Sequence, residues 1–157
     1  MMVGLVGGLV GTIVMDLFGG ALFVMMGGPA SLSFTIIGDA AATFAAMLGL
    51  TVAGGTPLGA LLHYLIGLVF GALFGAGASR VVVFRLDSLK KAIGLGTLYV
   101  ELMSLPLLSV AAWVLQMTAG ETAQWFGISF VMHLVYGLVL GLVAYYGLRA
   151  TPAARLA

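Results

Sequence analysis

The sequence has no cysteine, only four prolines, and charged side chains at just 7% of its 157 positions. Without cysteine there is neither a disulfide framework nor a thiolate metal site. A formal net charge of +1 provides no basic stripe, so no nucleic-acid partner is expected. The chain also lacks a phosphate loop, a dinucleotide fingerprint, a zinc-protease helix and a nucleophile elbow, and no catalytic residue is assigned. There is no c-type haem attachment motif and no Glu-x-x-His diiron motif.

What is present is apolar. Hydrophobic residues make up 62% of the chain, more than one small soluble domain can hide, so the chain belongs in a bilayer. The first apolar run has no basic segment before it and exceeds a signal-peptide core, and it reads as a retained span. It covers residues 3–26, long enough at about 1.5 Å per residue to cross a core about 30 Å thick. Gly27, Gly28 and Pro29 end it.

Residues 40–50 predict a short helix capped by Asp39, interfacial or re-entrant because it is too short to cross. Pro57 starts a second span, to about residue 78. Ser88 or Asp87 starts a third over 89–116, with a bend expected before Pro106. Residues 118–124, with Gln116, read as a polar connection, and Trp125 opens a fourth span to about residue 148 at the headgroup boundary. The basic residues are Arg80, Arg85, Lys90 and Lys91 between spans two and three, and Arg149 and Arg155 after span four. Four spans put both groups on one side, which the positive-inside rule makes cytoplasmic together with both termini, leaving Asp39 and Glu121 outside.

The chain also matches itself. Gly11-Thr12 followed by Asp16 returns as Gly96-Thr97 followed by Glu101, and His63 with Gly67 and Gly71 returns as His133 with Gly137 and Gly141. The expected architecture is therefore an all-α integral-membrane four-helix bundle in one domain, residues 1–157. It is built of two parallel two-helix repeats, about 3–78 and 89–148, with the short helix between spans one and two. Glycines four residues apart lie on one helix face and allow close backbone packing.

Ionisable groups inside spans cost several kcal/mol if unpaired in lipid, so Asp16, Glu101, His63 and His133 should face the interior. Counted along the helices they lie at overlapping depths, about 9 to 15 Å below one boundary, and could share one polar layer. Tyr64, Tyr99, Tyr136, Thr12, Thr97 and Ser104 could complete it. Three chemistries suit these residues. They could hold helices in register by hydrogen bonding, or relay protons or ions. Alternatively, His63 and His133 could bind a cofactor such as haem from two faces, or join Asp16 and Glu101 around a divalent metal. The sequence leaves the cofactor unknown. The scattered methionines read as gap fillers.

Gly8-Leu9-Val10-Gly11-Thr12, the Ala- and Met-rich stretch after Asp39, and the segments 63–67 and 133–137 resemble a family of small archaeal and bacterial multi-pass membrane proteins similar to YagU-type inner-membrane proteins. The resemblance implies a cell-membrane location and no particular activity. The sequence as a whole suggests a structural or accessory membrane component rather than an enzyme, in contact with lipid and able to form a homo-oligomer or join a larger membrane complex.

Overall fold

The computed structural model describes residues 2–150. Among the described residues there are five α-helices, α1 (Met2–Met25), α2 (Leu32–Met47), α3 (Thr56–Arg80), α4 (Leu89–Val114) and α5 (Ala119–Ala150), and a single 3-10 turn at Val82–Phe84. No strand occurs among the described residues. The four helices α1, α3, α4 and α5 are long and apolar enough to cross a membrane. At about 1.5 Å per residue, the 16 residues of α2 fall short of the hydrocarbon core.

The helix ends follow from local chemistry. After α1, Gly28 N–H bonds Phe23 O and Gly27 N–H bonds Val24 O, with Gly27 at φ 82°. This is a Schellman ending, in which glycine takes the left-handed conformation without a Cβ clash. The end of α2 repeats it, with Leu50 N–H on Ala45 O, Gly49 N–H on Ala46 O and Gly49 at φ 78°. Pro57 sits in the first turn of α3, where its missing N–H costs nothing. Ser88 caps α4, its hydroxyl accepting from Lys91 N at 3.2 Å. Pro106 lies within α4, which continues past it to Val114.

Two sequence expectations need correction. The short helix begins at Leu32 rather than at residue 40, and Asp39 lies in its middle. The hydroxyls of 31–35 are satisfied within the fold, Thr35 Oγ1 lying 3.3 Å from Ser31 O and 2.8 Å from Thr56 Oγ1. Asp39 does not cap its own helix but accepts from Gly55 N at 2.7 Å, fastening α2 to the chain just before α3. Likewise, 118–124 is not a loop. Thr118 N–H and Oγ1 both lie 2.8 Å from Glu121 Oε2, while Glu121 N–H reaches Thr118 Oγ1 at 3.3 Å. This reciprocal capping box starts α5 six residues before Trp125. Thr118→Ala should therefore lower stability by about 1 kcal/mol, as read by unfolding in mixed detergent, and fray the first turn of α5.

In the bundle α1 lies between α3 and α5, α4 packs on α5, and α2 packs on α3 with its edge against α4. The seams are made of small residues. A Cβ on Gly71 of α3 would stand 2.6 Å from Gly8 Cα of α1, and one on Gly141 of α5 would stand 3.0 Å from Ile93 Cα of α4. Between α2 and α3, a Cβ on Gly38 would come within 2.9 Å of Gly59 N. Such seams bring backbones into van der Waals contact, which substitutes for the hydrophobic drive missing in lipid. The outside is apolar: Leu17 is 72% exposed and Leu61 58%. Met15 and Met132 fill the interior, whereas Met25 points out.

At the basic end, Arg149 lies 4.0 Å over the Tyr145 ring and donates to Asp87 O at 3.0 Å. The end of α5 and the α3–α4 connection therefore share one end of the bundle. Lys91 Nζ bonds Asp87 Oδ2 at 3.1 Å, which holds the Asp87 carboxyl below its usual range. Arg155 lies outside the described residues.

Candidate functional site

The site grows from the seam between α1 and α3. Thr12 faces Gly67 there, and one turn further along α1 Asp16 reaches His63, whose Nε2 stands 3.0 Å from Asp16 Oδ1. The two side chains are only 11% and 13% exposed. The approach is off the hydrogen-bond axis, so this is a close contact between acid and imidazole and not an aligned hydrogen bond. Phe34 from α2 stands edge-on to His63 at a centroid distance of 5.5 Å, and Tyr64 stands edge-on at 6.4 Å.

His63 and His133 both line a cavity of about 270 Å³ whose wall draws on all five helices. Most of that wall is apolar. Its polar residues include Ser33 of α2, Ser104 of α4, and Trp125 and Ser129 of α5. Two residues of the wall, Trp125 and His133, each carry a buried nitrogen, Nε1 and Nδ1, with no hydrogen-bond partner among the described residues.

Glu101 stands apart. It does not line the cavity, makes no ion pair among the described residues, and keeps Oε1 buried without a partner. On α4 it is Val100 and Ser104, four residues apart, that face the cavity. Glu101 comes one residue after Val100 and is turned about 100° from it. No three His, Asp or Glu side chains among the described residues gather as a metal-holding group, so the set Asp16, His63, Glu101 and His133 does not converge. For a bis-histidine cofactor, His63 would have to turn, because its Nε2 is directed at Asp16.

Of the hydroxyls expected to join acids and histidines, that of Tyr64 lies against Asp16, whereas the others bond main-chain carbonyls. Thr12 bonds Gly8 O at 2.9 Å, Thr97 bonds Ile93 O at 2.8 Å and Ser104 bonds Glu101 O at 3.0 Å, each within its own helix. The tyrosines reach between helices. Tyr136 of α5 donates to Gly67 O at 2.7 Å, and Tyr99 of α4 donates to Phe70 O at 3.0 Å. Both therefore anchor on α3, and Tyr99 bridges α3 and α4 where those helices otherwise barely meet.

Trp125 is also displaced from its expected place. It is 8% exposed and packs with Ala40, Leu108, Ala111 and Val114, so it faces the interior. The outward tryptophan is Trp113, 60% exposed. Trp125, Ser129 and His133 recur every fourth residue, which places them along one face of α5. That interval was readable in the sequence, but the indole's ordinary preference for the headgroup boundary obscured it. No protein-family model, curated protein or solved structure matches the chain.

Proposed function

We propose that this chain is a small polytopic membrane protein that binds a bilayer-soluble small molecule in its central cavity, serving as a binding or accessory component rather than as a catalyst. The single observation behind this is the cavity itself: about 270 Å³, lined by residues of all five helices, largely apolar, with a few polar groups in its wall. Concave apolar sites with sparse polar groups between helices of a bundle are where small ligands bind. The Asp16–His63 contact and His133 form the polar part of the site.

The same proposal includes a duplicated architecture. Gly67 meets Thr12 where α3 crosses α1, and Gly137 meets Thr97 where α5 crosses α4. Those are matching positions in the two halves of the sequence, which supports descent from a two-helix unit; kinship with YagU-type proteins is part of the proposal and rests on the sequence resemblance alone. In this reading α2 is a re-entrant or interfacial helix added to the first half. The shared location of Arg149 and the α3–α4 connection supports a cell-membrane topology with that end, and both termini, in the cytoplasm. The apolar outer faces leave room for lipid, a second copy or a larger complex.

The test is organic extraction and mass analysis of protein purified in mild detergent. Wild-type protein should carry one apolar small molecule at near-stoichiometric level, distinct from bulk lipid. Ser129→Phe or Ala111→Phe should displace it while leaving a folded protein with an unchanged or raised unfolding midpoint. Equal recovery from the filled variants, or nothing but bulk lipid on the wild type, overturns the proposal.

A further inference from the structure

The chemistry of the cavity wall narrows what can occupy it. We infer that the ligand is an uncharged, carbonyl-bearing amphiphile with an apolar chain, of which quinones are the simplest class, and that it arrives sideways from the bilayer between α2, α3 and α4. The inference rests on the reading of the cavity as a binding site and adds both the ligand class and the route.

The route follows from side chains that belong to two surfaces at once. Phe44 of α2 and Leu107 and Val110 of α4 line the cavity, yet they are 43%, 45% and 43% exposed on the outer surface. Where residues do both, the wall is no thicker than one side chain, so rotation of these side chains alone joins the cavity to the exterior. α3 and α4 make little contact, which leaves this side of the bundle without a close-packed seam. The outer surface here is apolar, so the cavity opens toward lipid chains.

Charge then restricts the head group. No lysine or arginine lines the cavity, so a carboxylate or phosphate would be buried with no fixed cation beside it. No carboxylate lines it either, and the nearby Asp16 is already engaged by His63. A cationic head is thereby disfavoured as well. Only a neutral molecule enters without a large desolvation cost.

Hydrogen bonding selects among neutral molecules. The Trp125 indole N–H can only donate, and it is buried without an acceptor among the described residues. His133 Nδ1, also unpartnered, can donate in one tautomer. A hydrocarbon would leave both unsatisfied, whereas a carbonyl oxygen accepts from either. The hydroxyl hydrogens of Thr12, Ser104 and Tyr136 are already committed to main-chain carbonyls and do not compete for it.

Trp125 reports its own occupancy. Trp113→Phe protein in phosphatidylcholine nanodiscs leaves Trp125 as the one fluorophore of its type, and titration with an alkyl-chained benzoquinone should quench it saturably. The reciprocal Trp125→Phe protein, reporting from lipid-facing Trp113, should show only linear, collisional quenching. A long-chain ketone should reverse the Trp125 quenching. An alkylbenzene or a fatty acid of equal length should be weaker competitors by about tenfold, the worth of one to two hydrogen bonds. His133→Leu should weaken the quinone by a similar factor. If the alkylbenzene competes as well as the ketone, the carbonyl assignment fails and cavity binding survives. If the fatty acid competes best, the argument from charge fails. If quenching is saturable but unaffected by Ser129→Phe, the site lies elsewhere and both readings fall. If quenching of Trp125 is linear, the inference is overturned, and the extraction experiment decides separately whether the cavity holds another ligand.

Discussion

Gly71→Ala is expected to destabilise the protein by about 2 to 4 kcal/mol, the range for forcing a methyl group into a closed backbone contact. The new Cβ would meet the carbonyl oxygen of Gly4 and lie 2.6 Å from Gly8 Cα and 2.7 Å from Gly8 N, all main-chain atoms of α1. A side chain in the way could rotate, but a helix backbone can only move as a body. To accept the methyl, α1 and α3 must separate along the seam and lose contacts several residues to either side. Gly94→Ala provides the control: nothing lies within 4 Å of its Cβ position, and alanine should raise stability there by up to about 1 kcal/mol through helix propensity. Gly141→Ala, directed at the backbone of Ala92 and Ile93, should resemble Gly71→Ala. Unfolding curves in mixed detergent, with helicity as the readout, compare the three. If Gly71→Ala and Gly94→Ala coincide, the close approach of α1 and α3 is wrong.

The fold was legible in the sequence to the extent that its physics is local. Long apolar runs bounded by glycine, proline and serine gave the four long helices, because length and end chemistry are properties of a single segment. Boundaries failed where Asp39 was read as a cap and 118–124 as a polar connection. Ser31, Ser33 and Thr35 tolerate a helix once their oxygens find partners, and Thr118 with Glu121 is a start signal that a cluster of polar residues disguised. The site was legible only in part. Depth along a helix can be counted, which put His63 and His133 at overlapping depths, and both line one cavity. Rotation cannot be counted. One residue, about 100° of turn, separates Glu101 from the cavity-facing Val100, and nothing in the repeat reveals it. Nor could the sequence foresee that Tyr99 and Tyr136 would bond carbonyls of α3, since that depends on which helix lies opposite.

His63→Leu is expected to be among the most damaging single substitutions at the site, by about 3 kcal/mol or more, because it removes the imidazole beside Asp16 and leaves the carboxyl only the Tyr64 hydroxyl in an otherwise apolar setting. His63 Nε2 is the basic group that stands within ion-pair distance of Asp16, at 3.0 Å, and the Asp16 side chain is 11% exposed. The loss should come less from the missing contact than from the carboxyl left behind, and that distinction can be measured. If stranding is the cause, Asp16→Asn combined with His63→Leu should recover much of the stability, since a neutral amide is far cheaper to bury than a carboxylate. The double-mutant cycle should give a coupling of about 1 to 3 kcal/mol. His133→Leu and Glu101→Gln, neither of which touches an ion-pair partner among the described residues, should cost less than His63→Leu and should not couple to Asp16→Asn. Unfolding free energies for the four members of the cycle, set beside those two controls, separate the possibilities. Additive effects of Asp16→Asn and His63→Leu would mean that the two groups are neighbours without being partners, and the polar part of the cavity would then reduce to His133 with Trp125.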